Sequence, residues 1–249
     1  MKRRLDKLLV DRGLTSSRER AQALILAGKV LVNEQKIEKA GGSVDAAATL
    51  RLLGDDLRYV SRGGLKLEKA LDHWCIKLAG KVCLDVGAST GGFTDCMLQH
   101  SAAKVIAVDT GYGQMDFRLR NDRRVRLLEK TNARYLTEQQ IGEFVDLIVI
   151  DVSFISVALV LPAVVAAAFP RSQEERRGRQ IVVLVKPQFE VGREQVGKGG
   201  IVRDEALQMA AVAKIRQVLS EQGCSATDMI ESPILGAEGN REFLLHGIW

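Results

Sequence analysis

Two aspartates 24 residues apart flank a glycine-rich turn, in V-C-L-D-V-G-A-S-T-G-G-F-T (82–94) and K-V-I-A-V-D (104–109). Each closes a short apolar run that reads as a strand, the first ending at Asp85 and the second at Asp109. Gly87, Gly91 and Gly92 let the backbone turn tightly at a strand's carboxyl end and approach a ligand closely. A helical pattern opens near Phe93, so free N–H groups can face a polar ligand. A carboxylate placed like Asp109 commonly accepts hydrogen bonds from both hydroxyls of a ribose. The stretch predicts a nucleoside-containing cofactor held by Asp85, Gly87, Ala88, Ser89, Thr90, Gly91, Gly92, Phe93 and Asp109. No glycine stands two residues after Gly87, so the dinucleotide fingerprint G-x-G-x-x-G is not met. That spacing argues against a pyrophosphate and for a smaller ligand such as S-adenosyl-L-methionine. The alternative, a plain strand–helix connection, must treat both aspartates as incidental.

Two more strand patterns end in reactive side chains. V-D-L-I-V-I-D (145–151) closes on Asp151 and runs into V-S-F; Q-I-V-V-L-V-K (180–186) closes on Lys186 and is stopped by Pro187. In a parallel sheet both ends reach the crevice that holds the glycine turn. A structural ion pair between them is the plainer alternative. A ribose hydroxyl is a very weak acid that must lose its proton as it attacks a methyl carbon. A lysine can take that proton only as a neutral amine, and free lysine stays charged up to about pH 10.4. A second cation close by and partial desolvation both disfavour the charged form. Two lysines interleaved with two carboxylates meet that need, and Lys66 and Glu242 are the natural remaining members, with Lys69 a weaker substitute for Lys66. Other acceptors fit less well. Methylation of an adenine amine favours an (Asp/Asn)-Pro-Pro-aromatic turn, whereas this turn is D-V-S-F. Methylation at a cytosine carbon needs a cysteine nucleophile, commonly after proline, and none of the four cysteines follows one.

The elements that must position these groups alternate strand and helix over residues 65–249. That pattern predicts an α/β doubly wound, mostly parallel sheet of Rossmann-like type, closed by a terminal antiparallel hairpin with its turn at Gly239-Asn240. Residues 195–204, with three glycines, read as a mobile flap beside the site, and Asp204 as the cap of a long helix. Leu147 to Phe169 is long enough to span a bilayer, but Asp151, Ser153, Ser156 and Pro162 interrupt it, so strand, turn and buried helix is the better parse. Cys75, Cys83, Cys96 and Cys224 show no C-x-x-C spacing, which suits reduced cysteine in a cytoplasmic protein with no metal site. The basic N-terminus has no apolar run behind it, so no signal peptide is expected.

Residues 1–58 read as a separate α+β module. Helical spacing over Leu5–Arg12 stops at Gly13. An S-x-x-E capping box at Ser16 and Glu19 opens a second helix up to Gly28, and strand patterns follow at 29–33 and 49–53. Residues 59–64, with Gly63-Gly64, read as a linker. The first 60 residues hold 12 Lys/Arg against 8 Asp/Glu, four of the chain's five surplus positive charges. Such a basic face suits a phosphate-backbone partner, although a solvated charged surface is the bland alternative. L-D-K-L-L-V-D-R-G-L and S-R-E-R-A-Q-A-L-I-L-A-G-K-V-L-V-N resemble the S4-like RNA-binding domain. The resemblance implies that Arg4, Arg18, Arg20, Gln22, Lys29 and Asn33 face RNA, chiefly through phosphates.

The later motifs S-R-G-G-L-K-L, L-D-V-G-A-S-T-G-G-F-T, D-V-S-F-I, L-V-K-P-Q-F-E, K-G-G-I-V-R-D and G-N-R-E-F-L-L together resemble the TlyA family of ribosomal RNA 2′-O-methyltransferases. Those proteins join an S4-like domain to an FtsJ-like, class I methyltransferase domain. The resemblance implies S-adenosyl-L-methionine as cofactor and ribosomal RNA or a ribosomal subunit as partner, with a cytidine ribose as target. It implies a catalytic tetrad of Lys66, Asp151, Lys186 and Glu242, with Lys186 as base and Asn132 against adenine. Two other classes stay open. Family members have often been labelled haemolysins, which would mean membrane lysis, and a non-catalytic RNA-binding assembly factor is a further alternative.

Overall fold

The computed structural model describes residues 2–15, 17–53 and 58–249, which fall into two compact units, Met1–Arg58 and Tyr59–Trp249. The first contains β1 (Lys2–Arg4), α1 (Leu5–Asp11), α2 (Arg18–Leu26), β2 (Val30–Val32), β3 (Gln35–Lys36), β4 (Ser43–Asp45) and β5 (Leu50–Leu52). β1 pairs antiparallel with β4, and β2 lies between β3 and β5. Leu5 and Leu9 of α1 pack on Ala21, Leu24 and Ile25 of α2, with Val30 and Val32 of β2 closing the core. The cap expected on Ser16 lies outside the described residues. Ser17 caps α2, its hydroxyl accepting from the Arg20 N–H at 3.1 Å. The turn after β2 falls at Asn33-Glu34, which both adopt positive φ (50° and 63°), the twist that suits a tight hairpin.

The second unit contains α3 (Gly63–His73), β6 (Val82–Val86), α4 (Gly92–Gln99), β7 (Lys104–Val108), α5 (Phe117–Arg120), β8 (Val125–Leu128), α6 (Glu138–Ile141), β9 (Leu147–Ile150), α7 (Leu161–Ala168), α8 (Gln173–Arg176), β10 (Gln180–Val185), α9 (Pro187–Glu190), α10 (Glu205–Glu221), β11 (Ala226–Glu231) and β12 (Phe243–Ile248). Its strands form one seven-stranded sheet in the order β11-β12-β10-β9-β6-β7-β8. β8, β7, β6, β9 and β10 run parallel, and β12 and β11 are antiparallel additions. Alternation along each buried strand feeds two apolar layers. Cys83, Val105, Leu147, Val149 and Leu184 pack against α3 and α4. Leu84, Ile106, Ile148, Val183 and Leu245 face α7 and α10. This is the expected doubly wound sheet. Direction along the chain reverses at β6, which has β7 on one side and β9 on the other, so the crevice for a ligand opens between those strand ends.

Three expectations change in detail. Gly63 and Gly64 form the first turn of α3 instead of a joint, and Tyr59, only 2% exposed, lies in the core of the second unit. Gly64 is small for a packing reason: a Cβ there would sit 2.3 Å from the Tyr59 ring. The connection from β11 to β12 is not a two-residue turn at Gly239-Asn240. It spans residues 232–242, and Asn240 is a buried anchor. Residues 195–204 form a short hairpin (Gly197 bridging Ile201) whose far end is tied down: Asn240 accepts from the Val202 N–H at 3.0 Å and donates to the Gly200 carbonyl at 2.8 Å. The stretch from Leu147 to Phe169 is strand β9, a loop and helix α7, and no helix among the described residues is long and apolar enough to cross a membrane.

Asp6 ties the first unit together. Its carboxylate is fully buried and accepts from Arg4 at 3.0 and 2.9 Å, from Arg18 at 2.9 Å and from Gln22 at 2.8 Å. The Arg4 guanidinium above all, helped by Gln22 and Arg18, holds that carboxyl well below the ordinary carboxylate range despite burial. A depressed carboxyl adds stability above its unfolded value near pH 4, lost as the pH falls further. Asp6→Ala is expected to cost the first unit about 3 kcal/mol at pH 7. Faster hydrogen exchange over residues 5–25, with exchange in the β6–β10 sheet unchanged, would show it.

Candidate active site

Three adjoining cavities lie at the carboxyl ends of β6, β9 and β10. The first, about 240 Å³, is lined by Ser61, Arg62, Lys66, the turn residues Gly87 to Thr90, Gly92, Phe93 and Asp151. The second, about 450 Å³, runs from Gly87 and Ser89 past Asp109 to Thr131 and Asn132, and is bounded by Asp151, Ser153 and Phe154. The third, about 410 Å³, holds Lys66, Lys186 and Glu242 together with Ser153, Phe154 and Phe189. Shared walls make one crevice of the three. Lys66 belongs to the first and third, Asp151 to the first and second, and Ser153 and Phe154 to the second and third.

The glycine turn has its shape for reasons within the protein. Gly87 has φ of 88°, and a Cβ on it would lie 2.3 Å from the Asp151 carbonyl oxygen, so only glycine lets β6 and β9 end side by side. Ser89 also has positive φ (48°), and its N–H donates to Asp109 at 2.7 Å. The second oxygen of Asp109 accepts from the Gly111 N–H at 2.6 Å. Each oxygen of this half-buried, cavity-lining residue retains acceptor capacity, enough for a ribose diol. Helix α4 starts at Gly92, and Gly91 before it offers no side-chain cap, which leaves the first N–H groups for a polar ligand. Asn132 lines the second cavity, its side-chain oxygen accepting from the Arg134 N–H. These residues fit a nucleoside carrying a short polar tail.

Asp85 differs from its expected role. It lines none of the three cavities, is fully buried beneath the turn, and accepts from the Thr94 hydroxyl at 2.6 Å. It therefore supports the turn and α4 instead of touching a ligand. Burial first, and then the neighbouring Asp151 and Asp109 charges, push its carboxyl up to about 7 against the pull of Thr94.

The four tetrad residues form two ion pairs. Lys186 Nζ lies 2.6 Å from an Asp151 oxygen and donates to the Ser153 hydroxyl at 2.8 Å. Lys66 Nζ donates to Glu242 at 2.5 Å. Both lysines and Glu242 are nearly buried, with Asp151 somewhat more open. They come from α3, the end of β9, the end of β10 and the residue before β12. Lys69 is exposed and lines none of these cavities. Among the described residues no group of three His, Cys, Asp or Glu could hold a metal.

Several residues of the crevice escaped the sequence reading. Phe154 is 92% exposed with φ of 65°, next to Phe189 at a ring separation of 5.3 Å. An exposed aromatic after D-V-S, at the mouth of a reactive site, was the signal available. Glu190, buried, accepts from the Ser156 hydroxyl at 2.5 Å and the Val157 N–H at 2.7 Å, and pairs with Lys214 at 3.1 Å. It braces the loop after Asp151 against the helix after Lys186.

The six RNA-facing candidates of the first unit divide. Arg4, Arg18 and Gln22 converge on Asp6, and the two arginines remain nearly half exposed. Lys29 is exposed, and Arg20 follows the Ser17 cap. Asn33 holds the Thr49 N–H at 2.8 Å, so its side-chain oxygen serves the turn. In the arginine-rich segment 171–179, Arg176 and Arg179 donate to backbone carbonyls, which leaves two arginines for solvent or a partner.

The raised carboxyl of Asp85 gives a sign to the pH dependence of stability. Folded protein keeps a proton that the unfolded chain has released from about pH 4 upward, so stability falls as pH rises from there to about 7. Asp85→Asn keeps the Thr94 hydrogen bond and removes the titration. Melting temperatures between pH 5 and 7.5 should therefore fall with pH in the natural chain and stay flatter in the variant.

Residues 59–248 match the FtsJ-like methyltransferase family, and residues 3–48 match the S4 domain. The 16S/23S rRNA (cytidine-2'-O)-methyltransferase TlyA of Mycobacterium tuberculosis is 47% identical over 97% of this chain and 88% of its own length. Hemolysin A of Brachyspira hyodysenteriae is 40% identical over 98% of this chain and 99% of its own. A solved structure from Streptococcus thermophilus, described as a hemolysin, superposes with a TM-score of 0.75 at 42% identity, covering 99% of this chain and 88% of the other. The chain thus belongs to the FtsJ-like methyltransferases, in the S4-containing TlyA group.

Proposed function

We propose that this methyltransferase transfers a methyl group from S-adenosyl-L-methionine to the 2′-hydroxyl of a cytidine ribose in ribosomal RNA. One observation carries the reading: two lysine–carboxylate ion pairs and a glycine turn line a single crevice at the switch point of the sheet. When bound, the cofactor supplies an electrophilic methyl group on a sulfonium. Asp109 would hold the ribose hydroxyls, the Asn132 amide would donate to adenine, and Ser61, Arg62 and the start of α4 would take the amino-acid tail.

Lys186 acts as general base, removing the 2′-hydroxyl proton as the oxygen attacks. Asp151 and Ser153 hold its Nζ at the strand end and fix the direction of proton transfer. Lys66, tied to Glu242, puts a second cation into the same cavity. That placement steadies the developing oxyanion. Phe154 offers a ring face on which a base turned out of its stack can rest. The first unit delivers RNA through Arg4, Arg18, Arg20, Gln22 and Lys29, chiefly by phosphate contacts, which sets a salt dependence on binding.

The names of relatives keep lysis in view, and one comparison separates the two readings. Ribose methylation mapped across ribosomal RNA, with and without the protein, should reveal discrete positions that depend on it, while purified protein should leave red cells intact. Lys186→Ala is expected to lower kcat by about 10²- to 10⁴-fold with cofactor affinity retained. Full methylation by that variant would remove Lys186 from the role of base.

A further inference from the structure

The crevice has a polar wall that neither the transfer step nor the cofactor uses, and what it implies rests on the ribose-methylation reading above. In the third cavity both lysines already serve a carboxylate, and the N–H groups left on Lys66 face the reacting oxygen in the proposed step. Lys66 gives its bond to Glu242, and Lys186 serves Asp151 and Ser153. The Asn240 amide is bonded to Val202 and Gly200. Acceptors are left over. The side-chain oxygen of Gln188 is buried with no hydrogen-bond partner. Glu238 lines the same cavity and its carboxylate is exposed. A buried amide oxygen without a donor forfeits a hydrogen bond that it had in water.

We propose that Gln188 and Glu238 form a base-reading subsite for the target nucleotide. It selects a base whose edge carries an exocyclic amine beside a ring nitrogen, as in cytosine or adenine, and rejects uracil. With the 2′-hydroxyl at Lys186, the attached base reaches the wall formed by Phe154, Phe189, Gln188 and Glu238. The Gln188 oxygen accepts one amine hydrogen while its NH₂ donates to the ring nitrogen. Gln188 alone could turn its amide over to suit uracil. Glu238 fixes the choice, because an ionised carboxylate only accepts and would face the uracil carbonyl with no donor between them.

The test uses the full-length protein and ribosomal subunits carrying the mapped target nucleotide, in two forms that differ only by cytidine or uridine at that position. Tritiated methyl transfer should show kcat/KM at least about tenfold lower on the uridine form. Glu238→Gln, which can donate, should narrow that ratio to within about threefold by gaining on uridine. Gln188→Leu should narrow it by losing on cytidine, with cofactor affinity unchanged in both variants. Equal rates on the two forms, a mapped target that is itself uridine, or a ratio untouched by both substitutions would overturn the subsite. Absence of transfer to either form overturns the ribose-methylation reading itself, and a retained ratio in the variants cannot be mistaken for that result.

Discussion

Everything at the reactive end of this protein depends on how closely β6 and β9 end beside each other. The Gly87 backbone passes so near the Asp151 carbonyl that no side chain fits between them. That contact sets the glycine turn against the first residue of the D-V-S-F loop. The parallel register then carries the same edge to Lys186, since Val183 of β10 aligns with Ile150 of β9. β12, entering from the opposite direction, begins at this edge, so Glu242 arrives without a crossover. Strand direction alone brings three of the four residues together, and α3 supplies Lys66, 176 positions from Glu242, from the flanking layer.

Placing two cations and two anions in nearly buried space is costly unless each charge meets its opposite. Here the pairing alternates, Lys186 with Asp151 and Lys66 with Glu242, so the cluster carries no net charge while keeping two amines in one cavity. An uncompensated lysine in this position would destabilise the fold by about 3–5 kcal/mol, a large share of a typical domain's net stability of about 5–15 kcal/mol. The braces around it follow the same economy. Glu190 is buried yet satisfied by a hydroxyl, an N–H and Lys214, and Asn240 uses both ends of its amide on the adjoining hairpin. These polar anchors supplement apolar contacts of the same loops, since Val152, Ile155, Val157 and Val191 join the layer facing α7 and α10.

Much of this was legible in the sequence because it follows from periodicity and strand ends. Unbroken apolar runs closing on Asp85, Asp109, Asp151 and Lys186 placed the sheet edge, and the glycine spacing placed the turn. What stayed hidden depends on contacts between distant segments. Gly63-Gly64 looked like a hinge because glycine pairs usually mark freedom, yet the Tyr59 ring on one of them demands small size in a helix. Gly239-Asn240 looked like a hairpin turn because the local chemistry suited one, yet Asn240 was needed as a buried anchor 38 residues from its partner Val202. Asp85 was read as a ligand contact because it precedes the turn; strand alternation instead points it into the layer below, beside Thr94.

Asp6 shows the same limit in the first unit, with a functional consequence. In sequence it is an ordinary acid in the first turn of a helix. In three dimensions it is the fixed anion on which Arg4, Arg18 and Gln22 are arranged, with both guanidinium groups still open to solvent on one side. An arginine has five N–H donors in a planar fork and spends only one or two here, so the rest remain free for phosphate oxygens. Held in this way, the two arginines have already lost much of their rotamer freedom, so binding an anion would leave less ordering to do. A basic surface built on a buried carboxylate trades some net charge for pre-orientation. In the proposed RNA-binding role that trade favours placing a strand in one register, whereas a plain cluster of lysines would attract RNA without placing it.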